Sequence, residues 1–104
     1  MRPTLFGYLV IQTGMTADDA AQLRAALTAF AEREGYSLEH IFEEMTPATH
    51  ALAAVIDITL EQGAAGVLVS RRSDLGEIHR TQELARQRIE RETGVRVIVM
   101  EPDR

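Results

Sequence analysis

The chain has 104 residues, a mean hydropathy of -0.11 and a formal net charge of -5, which fits one soluble domain large enough to bury its own core and leaves little for a second. It contains no cysteine, so disulfides, thiol nucleophiles and thiolate metal sites are excluded. Its longest apolar runs, such as residues 5–11, fall well short of the roughly 20 residues of a membrane span, and no basic start with a cleavage pattern marks a signal peptide; a cytoplasmic protein is expected.

All 11 basic residues are arginine, a bias that speaks for a GC-rich genome more than for a binding surface. Residues 1–63 carry nine acids against three arginines, and residues 64–104 seven acids against eight arginines. Neither half offers the positive excess that phosphate-backbone binding needs, so DNA binding is disfavoured.

In chain order, residues 5–12 form a run that is apolar up to Gln12, the pattern of a strand buried on both faces. Thr16 with Asp19 three residues on predicts a helix start, and Leu23, Leu27, Phe30 and Ala31 recur at helical steps until Gly35 offers a left-handed stop. Residues 37–44 predict a second strand around Ile41 and Phe42. Thr46 and Pro47 pair a capping hydroxyl with proline at a first helical position, and Leu52, Val55, Ile56 and Leu60 form the expected buried stripe of a second helix ending at Gly63.

Residues 66–70 are apolar up to Ser70 and predict a central strand. A third helix is expected from Ser73 or Asp74 to Thr93, with Leu75, Ile78, Ala85 and Ile89 inward and Gly94 as the stop. Residues 95–100 form the last strand, and 102–104 a loose tail. This alternation implies an α/β fold of three layers, α/β/α, around a mainly parallel four-stranded sheet in a single domain.

The first strand and the segment after the third carry a family resemblance. Phe6-Gly7-Tyr8-Leu9-Val10-Ile11-Gln12-Thr13 resembles the opening strand of serine recombinases of the resolvase/invertase type, roughly Tyr-Gly-Tyr-x-Arg-Val-Ser-Thr. His40-Ile41-Phe42-Glu43-Glu44 is similar to that family's second strand, Gln22-Leu23 falls near its Gln-Leu, and the stretch Val67 to Glu77 resembles the strand and loop ending in Leu-Asp-Arg-Leu-Gly-Arg. Leu75-Gly76 match intact. Pro47-Ala48 stand where the family has Ser-Gly. The resemblance covers nearly the whole chain and describes a degenerate, truncated member, since the sequence ends where a dimerisation helix and a helix-turn-helix domain would follow.

At the family's active-site positions the chemistry has changed. Gln12 stands for the serine nucleophile, Val10 for an arginine, Ser73 for the aspartate, and Asp74 and Glu77 for two phosphate-binding arginines. An amide cannot form a phosphoester link, and the lost cations are what stabilise a phosphoryl transition state. No recombinase activity and no catalytic residue are therefore expected. The expectation is a protein-interaction or regulatory module, as a homodimer or with a protein partner such as an intact recombinase.

The alternative is a small-ligand or divalent-metal-binding domain that uses Val10, Gln12, Thr13, Ser73, Asp74 and Glu77 at the carboxyl edge of the sheet, with Glu43 and Glu44 as further oxygen donors. Against it, Asp74 and Glu77 have the spacing of a capping box for the third helix. His40, His50 and His79 lack zinc-site spacing. Arg80, Arg86, Arg88 and Arg91 are interleaved with Glu83, Glu90 and Glu92, as on a salt-bridged, solvated face. No Gly-rich phosphate loop or nucleophile elbow occurs. No cofactor and no membrane contact are expected.

Overall fold

In the computed structural model, which describes residues 2–45 and 50–101, the opening apolar run is the inner strand β1 (Thr4–Ile11). It is followed by α1 (Ala17–Arg33), β2 (Ser37–Met45), α2 (His50–Gln62), β3 (Gly66–Arg71), a 3₁₀ turn (Arg72–Leu75), α3 (His79–Thr93) and β4 (Arg96–Glu101). The four strands form one all-parallel sheet in the order β2-β1-β3-β4. The continuous apolar runs at β1 and β3 have their cause here, since both strands are covered on both faces.

One face carries α1, whose Leu27 and Ala31 pack with Leu5, Leu9 and Leu68. The other carries α2 and α3, whose Val55, Ile56 and Ile89 pack with Phe6, Tyr8, Val10, Val67 and Val69. Each of these leucines, valines and isoleucines stabilises the fold by about 1.5–3 kcal/mol through burial. The capping box at α1 forms as expected: Thr16 Oγ1 accepts from the Asp19 N–H and Asp19 Oδ2 from the Thr16 N–H, both at 3.0 Å. The predicted stops at Gly35 and Gly94 adopt φ of +88° and +75°.

Three expectations change. Leu60 is 58% exposed, because α2 turns Val55, Ile56 and Thr59 to the sheet; Thr59 satisfies its buried hydroxyl by donating to the Val55 carbonyl at 2.7 Å. The third helix does not begin at Ser73 or Asp74 but at His79, after the 3₁₀ turn. Ile78, consequently, is not an inward position but a 60% exposed residue at the helix entrance. The Thr46-Pro47 start expected for α2 lies outside the described residues.

The strand order makes the carboxyl edge between β1 and β3 a switch point: the chain leaves β1 towards β2 over one face and leaves β3 towards β4 over the other. A crevice opens where such connections part.

Candidate functional site

Strands β1 and β3 stay in register from Leu5 with Gly66 to Tyr8 with Val69 and then diverge. Beyond that point the backbone of Val10 has lost its β3 partner, and an unpaired buried peptide group is costly. Side chains replace the missing rung. Asp74 Oδ2 accepts from the Val10 N–H at 3.2 Å and from Ser70 Oγ at 2.5 Å. One terminal nitrogen of Arg71 donates to the Val10 carbonyl at 3.4 Å and to Asp74 Oδ1 at 3.2 Å.

The Asp74 side chain is wholly shielded and that of Arg71 mostly so. Burial pushes the Asp74 carboxyl above its ordinary pKa, against the opposing pull of the Ser70 and Val10 hydrogen bonds and the Arg71 charge. The Arg71 Nε is buried without a hydrogen-bond partner.

A second buried carboxylate sits one strand away. Tyr8 donates its hydroxyl to Glu44 Oε2 at 2.9 Å, and Glu44 Oε1 accepts from the Ala51 N–H at 3.2 Å, within the opening turn of α2. The Tyr8 hydroxyl is pushed well above the usual tyrosine range by burial, then by its bond to Glu44 and the charges of Glu44 and Asp74. Both carboxylates thus fasten elements together: Asp74 holds the 3₁₀ turn to β1, and Glu44 holds α2 to β1 and β2.

The family's active-site positions are not gathered into one pocket. The Val10 side chain is buried in the core beneath α2 and α3, so only its backbone meets Asp74. Gln12 and Thr13 are exposed on an open cleft of about 590 Å³ that they share with Asp19, Gln22 and Arg71. Ser73 is half-buried in the 3₁₀ turn and Glu77 is exposed beyond it. The expected Asp74–Glu77 capping box does not form; Thr81 caps α3 instead, its hydroxyl accepting from the Ile78 N–H at 3.3 Å. The turn ends at Gly76, whose extended backbone lies so close to Thr81 that a Cβ would stand 2.4 Å from the hydroxyl.

Glu43 and Glu44 do not join Asp74 as metal donors. Glu43 pairs with Arg24 at 3.0 Å, while Glu44 is taken by Tyr8 and α2. Among the described residues no three His, Cys, Asp or Glu side chains come together as a metal site. His40 lies against Phe42 with ring centroids 4.7 Å apart, and His79 is exposed; the His50 side chain is outside the described residues. On α3, Arg86 pairs with Glu83 and Glu90, and Arg88 with Glu92, the salt-bridged face that the sequence predicts.

Sequence reasoning missed Ser70, Arg71, Tyr8 and Glu44 as a polar set. A signal existed, in that a serine and an arginine end a wholly apolar strand. No spacing rule links them to Val10, 60 and 61 residues earlier.

Compared with solved structures, the chain has the fold of serine-recombinase catalytic domains. The C-terminal catalytic domain of ISC1926 TnpA, an IS607-like serine recombinase, superposes with a TM-score of 0.77 at 15% identity, over 96% of this chain and 70% of that one. The N-terminal catalytic domain of TP901-1 integrase gives a TM-score of 0.74 at 18% identity, over 93% of this chain and 76% of that one. No protein-family model matches the sequence, and no curated protein does. Among the described residues no helix is long and apolar enough to cross a membrane.

Proposed function

We propose that this domain keeps the recombinase fold without recombinase chemistry and acts in the cytoplasm as a protein-interaction or regulatory module, as a homodimer or bound to a protein partner. The observation that carries the reading is the placement of the Asp74 carboxylate at the carboxyl edge between β1 and β3. Its carboxylate occupies the Val10 N–H, the Ser70 hydroxyl and the Arg71 guanidinium, so the cation that shares a cleft with Gln12 is already paired. A phosphoryl group placed there would meet a buried anion, an amide in place of a nucleophile, and no spare positive charge among the five family positions.

The test is a tagged pull-down from the source cell at low and moderate salt, with the native mass of the eluted complex. A stoichiometric protein partner or a defined homo-oligomer supports the reading. A strictly monomeric protein that recovers no partner overturns it. The open cleft lined by Gln12, Thr13 and Arg71 favours a second reading, a polar small-ligand site; co-elution of a small molecule lost on substitution of Gln12 would decide for it.

A further inference from the structure

The flank formed by β2 and α2 has a character that the carboxyl edge does not share. From residue 34 to residue 70 the sequence contains no arginine or lysine, while Glu39, Glu43, Glu44, Asp57 and Glu61 all fall on β2 or α2. Glu44 is consumed inside and Glu43 is paired with Arg24. Glu39, Asp57 and Glu61 remain exposed.

Between the strand and the helix lies a groove of about 370 Å³ lined by Phe6, Glu39, His40, Phe42, Ile58 and Gln62. Phe6, Phe42 and Ile58 make it largely aromatic and aliphatic, and Glu39 places a carboxylate on its lining, with Asp57 and Glu61 exposed elsewhere on α2. β2 is also an edge strand, since the sheet begins with it and the described elements that pack on it are β1, α1 and α2. The register slips between Leu38 and His40 and leaves Glu39 without a partner on β1. Such irregularities occur where an edge is re-aimed.

An open strand edge beside a side-chain pocket is the arrangement that binds an extended peptide, the backbone supplying affinity and the pocket specificity. We infer that the β2 edge and the Phe42 groove form a docking site for an extended basic segment of a partner protein, with an aromatic or aliphatic side chain in the groove and arginine or lysine on either side of it. The inference rests on the interaction reading above and names its surface.

Charge selects the occupant. A second copy pairing through its own β2 would bring the unpaired Glu39 of each strand onto the same seam, and like charges across a strand pair are destabilising. Nucleic acid would bring phosphates to the same acids. A basic peptide meets complementary charge at Glu39 and on the acidic flank beyond it, and gains desolvated contact with Phe42 and Ile58 in the groove.

The experiment titrates the isotope-labelled chain with a synthetic hexapeptide alternating arginine with phenylalanine and valine, and with its glutamate-for-arginine counterpart, and follows backbone amide shifts. The basic peptide is expected to shift Glu39, His40, Phe42, Ile58 and Gln62, the acidic one to leave them in place, and Glu39→Arg to weaken binding by at least about tenfold at unchanged circular dichroism. Asp57→Arg provides a second exposed charge reversal with the same expected direction. Shifts confined to β4 or to the Gln12 cleft, equal binding of both peptides, or indifference to Glu39→Arg overturn the inference. A protein partner captured equally by the wild-type chain and Glu39→Arg would remove this surface and leave the interaction reading standing. A monomer that captures nothing would remove both.

Discussion

Asp74 is the residue on which the carboxyl edge depends, because one carboxylate completes a strand rung, binds a serine and pairs an arginine. Asp74→Ala leaves the Val10 N–H and Ser70 hydroxyl without their acceptor and should cost about 2–3 kcal/mol in urea unfolding. Its pH signature has a definite sign. Burial raises the folded-state pKa above the ordinary 3.8, so the folded chain holds this proton more tightly than the unfolded chain does. The contribution is full below the unfolded value and is lost as pH rises through the folded one. The stability of wild type relative to Asp74→Asn should therefore decline as pH rises above about 4; a relative stability that stays flat or grows in that window would contradict the assignment. Tyr8→Phe removes the hydroxyl from buried Glu44 and should cost about 1–3 kcal/mol by the same unfolding measurement.

At the scale of elements, the break between the 3₁₀ turn and α3 is what carries Asp74 into the sheet edge. Had α3 begun at Asp74, that carboxylate would have stood at a solvated helix entrance. Gly76 permits the break by its close approach to Thr81. Gly76→Ala should destabilise by about 1–3 kcal/mol through overpacking, and the double substitution Gly76→Ala with Thr81→Ala should recover part of that loss, measured as a coupling in a thermal-unfolding cycle. The exposed Leu60 belongs to the same scale. Helix α2 is apolar around most of its circumference, so its periodicity leaves several possible inward faces, and contact with β1 and β2 selects Val55, Ile56 and Thr59.

For the whole molecule, two helical layers share one sheet, and β1 and β3 contribute side chains to both cores. Neither core can open alone without exposing the other side of those strands. Chemical unfolding should be one cooperative transition, with tyrosine fluorescence and far-ultraviolet circular dichroism coincident; separated midpoints would overturn this. The same architecture bears on chemistry. Gln12→Ser restores a hydroxyl at the end of β1 but supplies no cation, so supercoiled plasmid incubated with this variant should remain unnicked.

The strand and helix alternation, the capped start of α1, the glycine stops and the inner position of β1 and β3 were legible in the chain, because each arises from local period or from a few adjacent residues. The four-stranded parallel fold and its likeness to recombinase catalytic domains followed from that order and from short matches such as Leu75-Gly76. The composition of the candidate site was not legible. Ser70, Arg71 and Asp74 are close in sequence, but their meeting with Val10 arises because β1 and β3 diverge past Tyr8 and strand a backbone amide at the carboxyl edge. The 3₁₀ turn then bends Asp74 into that gap. Local spacing admits both a helix cap and a buried rung for this aspartate; the cost of leaving the Val10 amide unpaired, which exists only once the sheet is assembled, decides between them.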